Sequence, residues 1–579
     1  MFSNYDYDII IIGGGISGLF LTYKLSDTNL KIILIESSDR LGGRVKTIQK
    51  DGLSFEGGAA RFHSSHSKLI TLINELNLGE DIIKLPEEIS YRLAKKSKIS
   101  IDTLLKESFQ RKKDYQIDFL KNITYFQYLI TIFDFDTAEF IKESFGYDSE
   151  FIHLNAHAAL TMFENDFFKD NDYFILKNGL SSIINELQRI LELKENIIIK
   201  KNCTVIDIDD TKIITDKTDY FYYDHLICAL PQKSLLSFEY FKKNDIQNLL
   251  TSVHPTPLLR IYAKYPTKNL WFKKIKRTIT NNYIRHIIPI NYDTGLIMIS
   301  YTDDIYAKLW DKYNTTSKLN SLDDQLLIQA LHKEIKEIFN IDPPNPDFIS
   351  QIYWNEGVHF WKTGYDLNEI SNKIIKPLES KEIYICGEAF SKKQGWIEGA
   401  LDTCYNVLQT LPLDFRIVTD QKFCEIAEEI FTIIHKDIKD DKDDKDDKDD
   451  KDDIDDKGDK EDKDDKDDID GKKKYKIDDV LKKNEGGKEW IIMEVNDEKV
   501  IYDISKWIPE HPGGSVIYRA IEANDFYSKS LKTKSEQSPT QLFMGNPIHK
   551  MEDSNGRSVF QRFFIDGNDM IQRVGVLNS

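Results

Sequence analysis

Long apolar runs are missing from this chain. Nowhere do about 18 apolar residues follow one another, the length a helix needs to cross a bilayer. The N-terminus has no basic n-region and no A-x-A cleavage pattern, and its apolar run Ile9–Ile12 is far too short for a signal h-region. A soluble, cytoplasmic or otherwise intracellular protein with no integral membrane segment is therefore expected. Cysteine is scarce too. The five present (Cys203, Cys228, Cys386, Cys404, Cys424) show no CxxC pairing and no metal spacing, which points to reduced thiols in a reducing compartment. No concentrated basic patch occurs, so a nucleic-acid partner is disfavoured.

Acidity is abundant but local. The formal net charge is −19; residues 436–470 hold 10 Lys and 21 Asp plus Glu and account for −11 of it, leaving −8 for the rest. That stretch is a near-repeat of Asp-Asp-Lys with almost no apolar residues. It cannot bury enough surface to offset its ordering entropy and reads as a disordered, charge-extended tether over 436–472. Hydrophobic residues still make up 40% of the 579 and aromatics 12%, enough for large cores on either side of it.

Residues 7–36 read as strand, glycine turn, helix, strand. Tyr7–Ile12 is a continuous apolar run of buried-strand type, Leu19, Phe20, Tyr23 and Leu25 stand at helical spacing, and Lys31–Glu36 forms the second strand. From 68 to about 194 the pattern is mainly helical, with Leu69, Leu72, Ile73, Leu76 and Leu78 on one stripe. Strand character returns over 197–208 and 225–230. Strands are expected at 257–264, 295–301 and 382–386, and helices near 323–339 and from about 397.

Gly13-Gly-Gly15-Ile16-Ser17-Gly18 satisfies G-x-G-x-x-G in that strand–turn–helix setting. Gly13 permits a tight turn, Gly15 lets the backbone approach a pyrophosphate, and Gly18 permits close helix–strand packing. The helix N-terminus offers N–H groups and positive dipole to the phosphates. Glu36, closing the second strand, stands where a carboxylate can accept from ribose hydroxyls.

Downstream, Leu41-Gly-Gly-Arg44 and Phe55-Glu-Gly-Gly58-Ala59-Ala-Arg61-Phe follow in short order. Tyr173–Leu187, Asp224–Pro231, Ile383–Glu388 and Gly395-Trp-Ile-Glu-Gly399 complete a set of separated motifs. Together they resemble the flavin amine oxidase family, which includes monoamine, polyamine and L-amino-acid oxidases, over most of residues 5–412. The resemblance implies an α/β fold in which a Rossmann-like FAD-binding domain (about 1–80, 195–235, 375–412) is interleaved with an α+β substrate domain (about 81–194, 236–374). It implies FAD with Arg44 on its phosphates, Gly58 and Ala59 beside the isoalloxazine, and Val205 at the adenine. Glu388 would lie at the ribityl or phosphate region, and the helix starting near Ile397 would point at the flavin N1–C2=O. Gly364 stands where monoamine oxidases carry a flavin-linking cysteine, so the FAD is expected to be non-covalent.

For the chemistry the resemblance implies hydride transfer from the carbon next to an amine nitrogen to flavin N5, with oxygen or another electron acceptor completing the cycle. Trp396 falls at one wall of an aromatic cage for a small-molecule amine, and Tyr365 is the candidate for the opposite wall. Arg260 stands where the family carries a lysine that holds a water near N5; Lys264, two alternations along the same strand face, is the candidate substitute.

Beyond the tether, Tyr475–Val480, Trp490-Ile-Ile, Ile501–Ile508 and Glu510-His511-Pro-Gly-Gly514 resemble cytochrome b5, implying a small α+β domain over 473–579. In that family such a histidine is an axial ligand of haem b. Where the second ligand is expected this chain has Lys534-Ser-Glu536, and the next histidine is His549. An insertion that moved the ligand, another residue in its place, and a domain without haem all stay open. Three functions follow: an amine oxidase, a flavin dehydrogenase or desaturase passing electrons to the b5-like domain, and a non-catalytic flavoprotein scaffold.

Overall fold

The computed structural model describes residues 6–86, 88–94, 97–167, 172–313 and 321–412, and further on the strand segments 474–475, 490–495, 498–503 and 572–577. The chain divides into two units, Met1–Asp446 and Asp447–Ser579.

The first unit is organised by a parallel sheet whose strands come from three separate stretches of sequence. Tyr7–Ile12 lies at its centre, paired in parallel with Ile32–Ile35 on one side and Tyr220–Cys228 on the other; Ile197–Lys200 and Ile383–Ile385 extend the two flanks. Both faces are covered, as the unbroken apolar run Ile9–Ile12 requires. Ile10, Ile12, Ile33 and Ile35 pack into a core shared with helices from 101–167. Ile9, Ile11, Ile32 and Leu34 face the opposite way, onto helices Ile16–Leu25, Ser67–Glu75, Ser181–Leu191 and Ile397–Thr410. Each of these isoleucines, no more than 4% exposed, contributes about 1.5–3 kcal/mol of burial.

The stretch 197–208, read from sequence as strand, is two strands with different roles. Ile197–Lys200 joins the parallel sheet, whereas Val205–Ile208 pairs antiparallel with Lys212–Thr215 and so with the start of Tyr220–Cys228. The break falls at Asn202, in the left-handed region at φ 54°. Its N–H and that of Cys203 donate to the carbonyls of Ser38 and Glu36, which brings Val205 to the end of the strand carrying Glu36. The helical stretch expected from 68 to about 194 also contains strands: Tyr173–Leu176, paired with Phe62–His63 and Ile82–Lys84, and Ile89–Arg92.

A second, six-stranded sheet runs Phe348–Trp361, Val253–Lys264, Leu296–Asp303, His286–Asn291, Arg277–Thr280 and Ile89–Arg92. Strand alternation sorts its central strand. Leu259, Ile261 and Ala263 enter a core with Leu327, Leu331 and Ile335 of helix Leu322–Phe339, and Arg260 and Tyr262 emerge on the other face, toward Glu56. Cys203, Cys228, Cys386 and Cys404 are buried free thiols. No helix of the described residues is long and apolar enough to cross a membrane.

In the second unit the described strands form one sheet. Gln572–Leu577 runs parallel to Lys474–Tyr475 and antiparallel to Glu498–Asp503, which pairs in turn with Trp490–Val495. Ile492 and Ile501 are register partners and fully buried. The tether 436–472, His511 and His549 lie outside the described residues, so the b5-like reading and haem b remain expectations of the sequence.

Candidate active site

The glycine turn packs as tightly as its residue types suggest, except at one point. Gly13 sits at φ 105°, and a Cβ there would meet the Ala229 carbonyl oxygen at 2.4 Å. A Cβ on Gly18 would meet the Gly13 carbonyl oxygen at 1.9 Å. At Gly15 a Cβ would meet nothing within 4 Å. That is the space a ligand's phosphates need at the start of helix Ile16–Leu25, which Gly15 opens without any side-chain cap. Ile16 and Ser17 are buried in the first turn, and the Ser17 carbonyl accepts from Cys404 Sγ of the closing helix at 3.5 Å.

Glu36 is fixed by its surroundings. Its Oε2 accepts from the Gly14 N–H at 2.8 Å, and its Oε1 from the Ser38 N–H and hydroxyl at 2.9 and 2.7 Å. The loop after it is folded around Arg40, whose guanidinium donates to the carbonyls of Leu41 and Gly43. The Gly42 N–H donates to the Gly14 carbonyl at 2.8 Å, laying this loop across the glycine turn. Gly58 follows because a Cβ there would collide with the Arg44 carbonyl oxygen at 1.8 Å; the Ala59 N–H donates to that same oxygen at 2.9 Å.

Arg44 reaches from this loop to the C-terminal motif. Its Nη1 donates to Glu388 Oε2 at 2.7 Å and to the Gly357 carbonyl at 3.1 Å. The side chain stays 32% exposed, and its other guanidinium nitrogens make no hydrogen bond among the described residues. Glu388 itself is buried and saturated: its Oε1 accepts from the His359 and Gly395 N–H groups at 3.1 and 2.9 Å, and its Oε2 meets His359 Nδ1 at 2.9 Å. Burial alone would raise its pKa, but Arg44 and His359 outweigh burial and hold it well below the usual carboxylate range. His359 is fully buried, with Glu356 Oε1 at 3.6 Å from its Nε2. Burial lowers its basicity and the two carboxylates more than restore it, so its pKa is raised. Neither His359 nor Glu356 stands out in the sequence.

Trp396 N-caps helix Ile397–Thr410, again with no side-chain cap, so the Ile397 N–H heads an open helix end. Its indole sits edge-on to two buried histidines, 5.2 Å from His63 and 4.8 Å from His66 between ring centroids. Those two rings lie 3.6 Å apart. Burial, and then the neighbouring His63, push the His66 pKa down to about 2, so that ring is neutral at working pH. The spacing of His63 and His66 was visible as an H-x-x-H pair, but only the fold sets it against Trp396.

The remaining sequence candidates lie in different surroundings. Arg260 Nη1 donates to the Glu56 carbonyl at 3.0 Å, beside the Tyr262 hydroxyl donating to the same oxygen at 2.8 Å. Its guanidinium lies 4.5 Å from the Tyr301 ring centre. Arg260 therefore braces the residue just before Gly57 and Gly58. Lys264 stands about 13 Å farther along the strand and lines a surface depression with Asp51, Leu53, Pro266 and Asp347. The structure does not bring Lys264 to Arg260. The Tyr365 hydroxyl donates to Asn248 Oδ1 at 2.9 Å, and its carbonyl accepts from Asn155 at 3.4 Å; no ring contact links it to Trp396. Trp361 is fully buried, its indole N–H donating to the Ser391 carbonyl.

Comparison with known proteins agrees with this geometry. The chain matches the Flavin containing amine oxidoreductase family over residues 16–116 and 85–407. It is 23% identical over 479 residues to an uncharacterized protein of Acanthamoeba polyphaga mimivirus, covering 70% of this chain and 93% of that one. A 72-residue stretch is 43% identical to polyamine oxidase 5 of Oryza sativa subsp. japonica, 12% of this chain and 15% of that protein. Among solved structures, a redesigned putrescine oxidase superposes with a TM-score of 0.57 at 15% identity, over 70% of this chain and 99% of that one. A putative protoporphyrinogen oxidase from Exiguobacterium superposes with a TM-score of 0.55, also at 15%, over 71% and 99%. These likenesses establish a shared fold, and the family match establishes more: the chain belongs to the flavin-containing amine oxidoreductases, for which FAD is the implied cofactor.

Proposed function

We propose that the protein oxidises the C–N bond of an amine or amino acid, with FAD held non-covalently and oxygen as the acceptor. The observation that carries this reading is the wall of half-buried Trp396 against the buried rings of His63 and the neutral His66, at the uncapped N-terminus of helix Ile397–Thr410. An amine must be unprotonated to release hydride, and a wall of an indole with the neutral His66 imidazole behind it favours that form and excludes water.

The cradle residues fit a dinucleotide. The open space at Gly15, the uncapped helix start and the unused edges of the Arg44 fork suit a pyrophosphate, and Glu36 is pre-set for a ribose. When bound, FAD supplies the two-electron acceptor that takes the hydride at N5; the amine becomes an imine, which water hydrolyses, and oxygen carries the electrons away as peroxide. Arg44, held by Glu388, would stay on the phosphates. Arg260, committed to the Glu56 carbonyl, would fix the loop beside the ring and not act as a base.

Absorption spectroscopy of the purified protein tests the reading. Flavin bands that bleach anaerobically on adding a substrate amine, and return with peroxide when oxygen is admitted, are expected. A purified protein without flavin bands would sink it.

A further inference from the structure

Behind Arg44 the chain carries a row of charges that holding a phosphate does not by itself require. Arg44 Nη1, Glu388 Oε2 and His359 Nδ1 follow one another at 2.7 and 2.9 Å, and Glu356 Oε1 stands 3.6 Å from His359 Nε2. The backbone is bent to place them. Strand Phe348–Trp361 loses its register on strand Val253–Lys264 here: Thr256 faces Val358 and Leu258 faces Trp354, so residues 355–357 stand opposite Pro257. A bulge of this kind re-aims side chains and is enriched beside active sites. It holds Glu356, whose Oε1 accepts from the Lys233 N–H at 3.1 Å, and Gly357, whose carbonyl accepts from Arg44 at 3.1 Å.

The hydrogen bonds fix the protonation of the ring. Glu388 accepts from Arg44 and from the His359 and Gly395 N–H groups, and an ionised carboxylate has no proton to give. His359 Nδ1 is therefore the donor at 2.9 Å. Its Nε2 is enclosed in protein, and the oxygen it faces belongs to a second carboxylate. A bare nitrogen there would set lone pair against lone pair, so both nitrogens carry protons and the ring is an imidazolium. Among the described residues the charges facing it are Glu388 on the turn Glu388–Phe390, Glu356 on its own strand and Arg44 beyond Glu388. Pro255, opposite it on the neighbouring strand, is uncharged. Burial works against the cation, but Glu388 and then Glu356 outweigh burial, so the His359 pKa is raised.

With His359 charged, two cations meet two carboxylates and the row is neutral. With the ring neutral, one negative charge is left over directly behind Arg44. Folding alone does not call for such a set. Val358 and Phe360, on either side of His359, are buried and apolar, and exchanging buried ions for apolar residues is often neutral or stabilising. We propose that His359, as an imidazolium between Glu356 and Glu388, is a positioning residue for FAD: it keeps Glu388 aligned on Arg44 and cancels a negative charge behind the pyrophosphate. This rests on the reading above that Arg44 lies on the cofactor phosphates, and deepens it. FAD is then held most tightly while the ring is protonated, and is lost more readily as pH rises through the folded value of His359.

The test is titration of the full flavin-free chain with FAD, followed by flavin fluorescence, from about pH 6 to about pH 9.5. ADP-ribose, which keeps the diphosphate but has no flavin ring, is titrated alongside by calorimetry. Both dissociation constants are expected to rise at least fivefold through a single-proton transition on the alkaline side. His359→Gln should weaken FAD at least fivefold at about pH 7 and abolish the transition. Glu356→Gln leaves the ring and Arg44 in place and should move the midpoint to lower pH by at least about half a unit. A purely structural histidine would show no such displacement, and this variant decides the matter should His359→Gln fail to fold. A flat profile in the parent, the same transition in His359→Gln, an unmoved midpoint in Glu356→Gln, or a transition seen with FAD and not with ADP-ribose would overturn the assignment. In each of those results FAD still binds, so they are distinguishable from failure of the cofactor reading, which would show as no FAD binding at any pH.

Discussion

At the scale of single residues the cradle separates what the fold needs from what the cofactor needs. Gly18 faces backbone and Gly15 faces open space, so the same substitution should act on different quantities. Gly18→Ala should destabilise the protein by about 1–3 kcal/mol, read as a lower denaturation midpoint with or without FAD. Gly15→Ala should leave the apoprotein's midpoint unchanged and weaken FAD at least tenfold by titration; an apoprotein destabilised as much as Gly18→Ala would refute the distinction. The histidines give a second residue-scale prediction. His66 has a folded pKa near 2, far below its unfolded value, so stability is lost as pH falls below about 6.5, where the unfolded chain takes up a proton the fold refuses. His359 is raised, so its contribution is full below about 6.5 and is lost as pH rises through its folded value. Melting temperature should therefore peak near neutrality. Each arm slopes by up to about 1.4 kcal/mol per pH unit per proton; His359→Gln should make the alkaline arm shallower and leave the acidic one, whereas His66→Gln should remove one proton's share of the acidic arm, to which His254 and His286 also contribute.

At the scale of elements, the site is built where two helix N-termini meet. Helix Ser67–Glu75 starts at His66 without a cap of its own, and helix Ile397–Thr410 starts at Trp396 likewise. The missing cap of the first is supplied by the second: Glu398, fully buried, accepts from the N–H groups of Leu69 and Lys68 at 3.0 and 3.3 Å. Glu398→Ala should cost about 1–2 kcal/mol, within the range of lost N-caps, and should shift the His63, His66 and Trp396 rings, seen as altered tryptophan fluorescence. Glu398→Gln, which keeps an acceptor oxygen, should recover most of the stability. If the alanine variant melts with the parent, the cap has no such role. This is also where legibility stopped. The Gly13–Gly18 turn and Glu36 stand out in sequence because they lie in a short pattern fixed by local backbone geometry, and Arg44 and Glu388 are named by the family resemblance; the fold then sets those two side chains together. His359 and Glu356 do not stand out, because both belong to the long strand Phe348–Trp361, whose alternation fits an ordinary sheet. Their chemistry appears only when strand Phe348–Trp361 is laid against residues 388–395. Tyr365 and Lys264 show the same limit from the other side: sequence spacing named them, and the fold gives them neighbours other than Trp396 and Arg260.

At the scale of the whole molecule the question is which part owns the flavin. The parallel sheet, the glycine turn and the closing helix Ile397–Thr410 all belong to the unit Met1–Asp446, and the family match ends at residue 407. Every contact that shapes the cradle, from Gly14–Glu36 to Arg44–Glu388, is therefore made before residue 413. The charge run 436–470 carries 10 lysines and almost no apolar residues, and its lysines are candidate tryptic sites. Brief trypsin treatment of the flavin-loaded chain should cut there first. The larger fragment should keep its flavin bands through gel filtration, and should keep its turnover if oxygen is the acceptor. Retained bleaching by substrate with reoxidation lost would instead assign the acceptor to residues beyond the cut, the dehydrogenase alternative. Loss of the flavin itself on cleavage would contradict a cradle complete within the first unit. The three outcomes are read from one spectrum before and after cleavage, since the isoalloxazine reports its own binding, its reduction and its return.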